Sequence, residues 1–233
     1  DPKTKSLWAA TSGLPEMQGY TPADDGRAFV AQYDLRSGKL VRKVGVPKDG
    51  KKHVLGDVIL LPSGELLATD SAANLVYRVP AKGEVLEVYA GPGPLRSLQG
   101  LAPSPDGRTL YVADTEGARL WAFEVQGPGR LKPKLEFAPH SGRVVAGLAG
   151  KARFDSLAVM ASGNIAVATL STGCITEISP AGDIVRTVAM PDRFPTNLCF
   201  GGPDMRTAFV TLSDSGRLGV LRWPEPGLKL NFS

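Results

Sequence analysis

Residues 154–191 read FDSLAVMASGNIAVATLSTGCITEISPAGDIVRTVAMP, and this stretch decides the fold. Apolar residues alternate with small or polar ones on both sides of a Gly-containing turn at 161–164, which is the period-2 pattern of a β-hairpin. Two further alternating runs follow and are separated by a second turn at 180–183. Four antiparallel strands in about 40 residues are typical of one β-propeller blade.

The same unit recurs along the chain. Aligning the copies makes Gly56, Gln99, Asp155 and Thr196 equivalent first positions, at repeat distances of about 40 to 56 residues. We therefore predict an all-β fold, a single β-propeller domain that covers residues 1–233. The predicted blades cover residues 5–47, 53–90, 97–139, 153–191 and 194–233.

The first predicted blade differs from the others. Residues 6–12 match the second strand of a blade, and only residues 1–5 precede them. We expect five recognisable four-stranded blades, the first of which is incomplete. Because an open ring exposes strand edges, closure is expected through residues 1–5, through a strand-exchanged oligomer, or through a tighter five-bladed ring.

Composition excludes several functional classes. No run of about 18 apolar residues is present, which argues against a membrane protein. The net charge of +4 comes from scattered basic residues, which argues against nucleic-acid binding. A soluble protein is expected, and the cytoplasm, the periplasm and secretion all stay open. Cys174 and Cys199 are expected to be buried thiols, and His53 and His140 to be exposed linker residues.

Three stretches resemble one known family. FDSLAV at 154–159 and TNLCFGGPDMRTAFVT at 196–211 resemble the gluconolactonase/regucalcin (luciferin-regenerating enzyme) family, and QGLAPSPDGRTLYVAD at 99–114 resembles a more divergent branch of the same propeller superfamily. The C-terminal third is therefore the part most similar to the family. The resemblance implies a relation to six-bladed propellers and a divalent metal in the central funnel. Calcium is the first expectation, with zinc and manganese as alternatives, and the implied activity is hydrolysis of a small lactone by a metal-bound water.

The resemblance also implies site residues. Asp155 stands at the place of the family's metal-binding Asp, and Gln99 stands where the family has an Asn, so both are the expected metal ligands. Asp155 and Asp57 are the expected catalytic residues, with Asp57 as general base or auxiliary ligand. Gln99, Thr196 and Asn197 are the expected substrate contacts.

Two alternatives stay open. The family's Glu ligand has no counterpart, so a non-catalytic propeller that binds a ligand or partner also fits. The change of resemblance near residue 150 also fits a recombined or engineered scaffold with a degraded metal site. At the level of single residues, Asp57 and Asp155 could instead cap turn N–H groups, as we expect Asp70 and Asp114 to do.

Overall fold

The computed structural model describes residues 1–61, 63–93, 95–125 and 141–229. These ranges contain eighteen β-strands and one short 3₁₀ helix, Pro22–Asp24. The strands form five antiparallel sheets in the order of the chain, a five-bladed β-propeller arrangement. Within the described residues, no helix has the length and hydrophobicity needed to cross a bilayer.

Each sheet is built from consecutive strands, and the first strand of each sheet is its innermost. The first sheet contains β1 (Ser6–Ser12), β2 (Ala28–Asp34) and β3 (Leu40–Gly45). The second contains β4 (Leu55–Leu60), β5 (Leu66–Asp70), β6 (Leu75–Val79) and β7 (Glu87–Ala90). The third contains β8 (Leu98–Pro103), β9 (Thr109–Asp114), β10 (Arg119–Glu124) and β11 (Gly142–Gly147). The fourth contains β12 (Arg153–Val159), β13 (Ile165–Leu170), β14 (Cys174–Ile178) and β15 (Ile184–Ala189). The fifth contains β16 (Pro195–Gly201), β17 (Thr207–Leu212) and β18 (Arg217–Arg222).

Four hydrophobic layers lie between successive sheets. In the fourth sheet, Phe154 and Leu157 pack toward the third sheet, whereas Met160 and Ile175 pack toward the fifth. Both faces of the three central sheets are therefore buried, which explains the long apolar runs of their strands. Burying one large apolar side chain contributes about 1.5–3 kcal/mol, so these layers are the main source of stability.

The terminal sheets each have one face without a neighbouring sheet. Leu7 and Val41 of the first sheet, and Leu218 and Val220 of the fifth, are more than half exposed. The inner strands β4, β8, β12 and β16 each pack against the innermost strand of the preceding sheet, whereas β16 and β1 make at most marginal contact among the described residues. Closure through a strand-exchanged oligomer stays a prediction.

Two segments differ from the predicted strands. Residues 142–147, which lie between the predicted blades 97–139 and 153–191, form β11, the outer strand of the third sheet. The end of the predicted blade 97–139, from residue 126 onward, lies outside the described residues. In the predicted four-stranded blade 194–233 the structure describes three strands, and residues 224–229 return to the fourth sheet, where the Leu228 N–H donates to the Val159 carbonyl at 2.9 Å. Pro224 and Pro226 lack N–H donors, which disfavours extension of the sheet along β18.

Candidate active site

A β-bulge interrupts four of the five inner strands at the same place. Two residues of the inner strand lie opposite one residue of the neighbouring strand at Gly56–Asp57, at Gln99–Gly100 and at Asp155–Ser156. Thr196 is the one extra residue in β16, and β1 pairs with β2 without a register shift. The bulges confirm the alignment of Gly56, Gln99, Asp155 and Thr196. A bulge re-aims side chains and is common beside active sites, so these four positions are where the inner strands depart from regular pairing.

Two carboxylates from different sheets lie close together at the bulges. Burial, and secondarily the charge of Asp57, raises the pKa of Asp155 to about 7, although a backbone hydrogen bond from Ser156 opposes this. Burial also raises the pKa of Asp57 to about 6, against hydrogen bonds from the Val58 N–H, the Ser156 hydroxyl and the backbone of Leu101. Asp57 keeps some contact with the cavity, but protein surrounds most of its carboxylate. The pair is therefore a desolvated negative site without a described cationic partner.

Gln99 extends toward the second sheet. Its amide Oε1 lies so close to Gly56 that a Cβ atom at that position would be 2.2 Å away. At Gly100, a Cβ atom would be 2.5 Å from the Ser156 Cα, so β8 and β12 approach each other with no room for a side chain. These two glycines allow the Gln99 amide and the Asp155 strand to converge on one point.

The two residues of the last inner strand have different surroundings. The Asn197 N–H donates to Thr211 Oγ1 at 2.8 Å, and Asn197 Oδ1 accepts from the Leu198 N–H at 2.7 Å. Asp57 repeats both contacts in the second sheet, with Thr69 and Val58. Thr196 Oγ1 instead shares hydrogen bonds with the hydroxyls of Thr211 and Ser213. Thr196 therefore belongs to a hydroxyl cluster, and Asn197 is the counterpart of Asp57.

The inner strands β4, β8, β12 and β16 enclose an open cavity with a volume of about 240 Å³. Asp57 and Asn197 supply its polar side chains, and Cys199 also lines it. The remainder of the wall is apolar and includes Leu101, Leu157 and Leu228. Asp155 and Gln99 do not line this cavity themselves; they lie beside Asp57 at its polar end. The cavity therefore combines one charged end with a hydrophobic remainder.

The donors at this end suit a hard cation. Asp57 and Asp155 offer carboxylates and Gln99 an amide oxygen, and oxygen ligands are those that calcium prefers, whereas zinc favours nitrogen and sulfur. A cation would also relieve the repulsion between the two carboxylates. Among the described residues, however, no three or more His, Cys, Asp or Glu side chains are grouped to hold a metal. A cation bound here would need the amide oxygens and water to complete its coordination.

Asp70 and Asp114 accept hydrogen bonds from backbone N–H groups of turns, as predicted from the sequence. Asp70 Oδ1 accepts hydrogen bonds from the backbone N–H groups of Val54, Ala72 and Ala73. Asp114 Oδ1 accepts from the N–H groups of Arg96 and Gly117. Both aspartates organise loops between strands, and neither lines the cavity.

His53 lies in a buried charge cluster that the sequence did not predict. The expectation of an exposed linker residue is wrong, since His53 is only 2% exposed. Its Nδ1 lies 2.6 Å from Asp70 Oδ2 and its Nε2 lies 2.9 Å from Asp49 Oδ1. Burial by itself lowers the pKa of His53, but the hydrogen bonds and charges of Asp49 and Asp70 outweigh it and raise the pKa above 6.5. The acidic residues Asp49 and Asp70 are the only feature of the sequence that indicates hydrogen-bond partners for His53. The polar composition of the linker does not indicate that His53 is buried.

The two cysteines differ in their exposure to solvent. Both cysteines are free thiols; Cys174 is buried, but Cys199 is exposed, so the expectation for Cys199 is wrong. Cys199 is exposed because it faces the open cavity. His140 lies outside the described residues.

Comparison with known proteins identifies the family. Residues 9–214 match the family described as the SMP-30/Gluconolactonase/LRE-like region. The chain belongs to this family. The match runs through residue 150, so both parts of the chain resemble the same family.

Two curated relatives carry the names of lactonases for different sugar lactones. The chain is 32% identical to a 6-deoxy-6-sulfogluconolactonase of Pseudomonas putida, over 97% of this chain and 79% of that protein. It is 25% identical to a pentonolactonase of Haloferax volcanii, over 66% of this chain and 52% of that protein. The chain thus spans about four fifths of the first relative and about half of the second.

A solved structure confirms the fold. The calcium-binding protein regucalcin of Agrobacterium tumefaciens superimposes with a TM-score of 0.67 at 20% identity, over 99% of this chain and 92% of that chain. At this identity the likeness concerns the fold of the SMP-30/Gluconolactonase/LRE-like region and not its ligands.

Proposed function

We propose that this chain hydrolyses a sugar lactone with the help of a divalent cation at the polar end of the central cavity. The observation that carries the proposal is the convergence of Asp57 and Asp155, from inner strands of two different sheets, each with a raised pKa. Membership of the SMP-30/Gluconolactonase/LRE-like family supports the reaction class. The names of two relatives, a sulfogluconolactonase and a pentonolactonase, support a sugar lactone as the substrate.

Asp155 and Gln99 are the proposed ligands of the cation. Asp155 is buried in a fixed position by its bulge, and the Gln99 amide oxygen is directed toward the same end by its contact with Gly56. When bound, a divalent cation supplies Lewis-acid polarisation of a carbonyl and lowers the pKa of water. Calcium is the preferred ion because the donors are all oxygens.

Asp57 is the proposed general base. In the metal-free protein burial raises the pKa of Asp57 to about 6, so its carboxylate is ionised at neutral pH, as a general base must be. Asp57 accepts a proton from the attacking water, whose oxygen bonds to the lactone carbonyl carbon. The ring C–O bond then breaks, and the proton is returned to the ring oxygen. The product is the open-chain hydroxy acid.

The remaining site residues are proposed to position the sugar. Asn197 lines the cavity beside Asp57, and its side-chain N–H group can donate to a sugar hydroxyl. Thr196 belongs to a hydroxyl cluster with Thr211 and Ser213, which can exchange hydrogen bonds with a second hydroxyl. The apolar wall keeps bulk water away from the opposite face of the ring.

The test is hydrolysis of gluconolactone and a pentonolactone by protein stripped of metal with a chelator. We expect turnover to be absent after stripping and restored by calcium, with magnesium, manganese and zinc as comparisons. Calcium should also raise the melting temperature in a concentration-dependent way, because it binds only the folded state. Turnover that survives chelation would contradict the role of the cation.

The second candidate is a binding module without catalysis. This candidate is favoured because, among the described residues, no third His, Cys, Asp or Glu side chain joins Asp57 and Asp155 to hold a metal. It predicts no hydrolysis of either lactone with any of the four cations. Restored turnover with any one of them would exclude it.

A further inference from the structure

Both ring nitrogens of the buried His53 face carboxylates. Nδ1 lies 2.6 Å from Asp70 Oδ2, and Nε2 lies 2.9 Å from Asp49 Oδ1. A neutral imidazole has a single N–H group, so it would direct the lone pair of its other nitrogen at a carboxylate oxygen. The imidazolium donates from both nitrogens and satisfies both carboxylates. The geometry therefore favours the charged form of His53 inside the fold.

Asp70 needs this positive charge because its carboxylate is completely buried. Its Oδ1 accepts three backbone N–H groups, and its Oδ2 faces the imidazole. The Tyr77 hydroxyl also lies 3.3 Å from Nδ1; burial, and secondarily the charges of the two aspartates, raises the pKa of Tyr77, so it stays neutral. The exposed Lys51 Nζ lies 3.9 Å from Asp49 Oδ2. Among the described residues, His53 is the cation paired with Asp70, so loss of its proton would leave a buried carboxylate without a cation.

The end of β5 connects this ion pair to the backbone of the proposed general base. Asp70 Oδ1 accepts from the Val54 N–H at 3.1 Å, and the Ser71 N–H donates to the Val54 carbonyl at 2.8 Å. Thr69 precedes Asp70, and its Oγ1 accepts from the Asp57 N–H at 2.9 Å. One short segment thus holds both the residue that follows the histidine and the backbone of Asp57, so the position of one depends on the other.

We propose that His53 is a positioning residue: its imidazolium fastens the linker that precedes β4 to the end of β5 and thereby holds Asp57 in place for proton transfer. The inference rests on the proposed function and adds to it a residue that does not line the cavity. Loss of the proton removes one of the two N–H donors and turns a lone pair toward a carboxylate. The linker is then released, and Asp57 loses its fixed position.

The consequence is a loss of turnover at alkaline pH. Burial by itself lowers the pKa of His53, but the hydrogen bonds and charges of Asp49 and Asp70 raise it above 6.5. The ion pair is therefore complete below the pKa of His53 and is lost as the pH rises through it. Because Asp57 is ionised on the alkaline side of its own pKa, its titration cannot cause a fall in turnover there.

The test is the pH dependence of kcat for the calcium-loaded protein with a pentonolactone, after subtraction of uncatalysed hydrolysis. We expect kcat to fall by about tenfold across the pKa of His53, since small displacements of a catalytic group have effects of at least this size. Asp49→Asn removes one charge that raises this pKa, so the fall should move to lower pH, with kcat retained on the acid side. Asp25→Asn, which removes the partner of the neighbouring Lys52, is the matched control and should leave the profile unchanged.

A second variant and NMR separate positioning from a general loss of stability. The chain has two histidines, so the ring signal of His53 is the one that disappears in His53→Gln. In this variant a neutral amide replaces the imidazolium, and kcat at neutral pH should fall by about tenfold. Calcium affinity should change by less than about twofold, because Asp155 and Gln99 are unaltered. A lower melting temperature with kcat of the folded variant unchanged would show a merely structural role and overturn the inference.

The kcat profile is compared with the NMR titration of His53. A profile that does not follow this titration, or that stays in place in Asp49→Asn, would overturn the inference and leave the proposed function intact, even if His53→Gln does not fold. If no lactone is hydrolysed, the proposed function fails, and the backbone amide signals of Leu55 and Gly56 decide the inference separately. Signals that follow the titration of His53 and shift with it in Asp49→Asn support the coupling, and signals that do not follow it overturn the inference.

Discussion

Asp155 and Asp192 are almost equally shielded from solvent, at 8% and 7% exposure, yet their pKa values move in opposite directions. Asp155 lies deep between sheets beside Asp57, and its pKa rises to about 7. Asp192 is covered mainly by the loop that it organises. The cost of burial there is outweighed by hydrogen bonds from Ser215, Phe194 and Asp214, so its pKa falls. Almost equal burial thus yields a carboxylate whose pKa is raised by burial and a neighbouring charge, and another whose pKa is lowered because several loop groups donate hydrogen bonds to it.

The largest expected effect comes from removing the charge of Asp155. Asp155→Asn should lower lactone kcat/KM by roughly a thousandfold, comparable to the loss of a group that stabilises the transition state, and should abolish the rise in melting temperature with calcium. Asp106→Asn, at an exposed turn, is the matched control and should leave both unchanged. Retained calcium stabilisation in Asp155→Asn would show that the two aspartates do not differ in the way proposed.

The second effect concerns stability at Asp192. Asp192→Ala leaves the N–H groups of Phe194 and Ser215 without their acceptor, so the melting temperature should fall by on the order of 5–10 °C. Ser215→Ala removes only one of these contacts and should cost less. A melting temperature unchanged in Asp192→Ala would mean that its hydrogen bonds do not support the loop.

The smallest effect is a difference in pH dependence. A raised carboxyl pKa means that the folded state binds more protons than the unfolded state between pH 4 and 7. The contribution of Asp155 to the free energy of unfolding of metal-free protein should therefore fall as the pH rises through that range. The lowered pKa of Asp192 acts below pH 3.8, where its contribution is lost as the pH falls.

Urea unfolding at several pH values measures this difference. His53, with its raised pKa, loses its contribution as the pH rises above 6.5, but it does so in the unmodified protein and in Asp155→Asn alike. Asp57 titrates in the same pH range in both proteins, so the difference between the two curves reports Asp155 together with its charge interaction with Asp57. Parallel curves between pH 4 and 7 would contradict the raised pKa.

Much of the fold could be predicted from the sequence because blade architecture is written in local patterns. Alternating apolar residues and Gly-containing turns repeat in every unit, and the alignment that made Gly56, Gln99, Asp155 and Thr196 equivalent corresponds to the bulges of four inner strands. Residues 142–147 and 224–229, whose structure was not predicted, lack this alternation. Residues 142–147 form a strand because β10 offers an unpaired edge, which no local pattern shows.

The sequence by itself determined that this chain is a propeller of the SMP-30/Gluconolactonase/LRE-like family, and it pointed to Asp57 and Asp155, since both conclusions follow from repeats and motifs read along the chain. Only the tertiary structure decided which aspartates have a raised pKa and which have a lowered one. The pKa of a carboxylate depends on its depth and on donors from other strands, so the opposite pKa shifts of Asp155 and Asp192 could not be predicted from their neighbours in sequence. The buried His53 between Asp49 and Asp70 likewise exists only because the linker folds back against the second sheet.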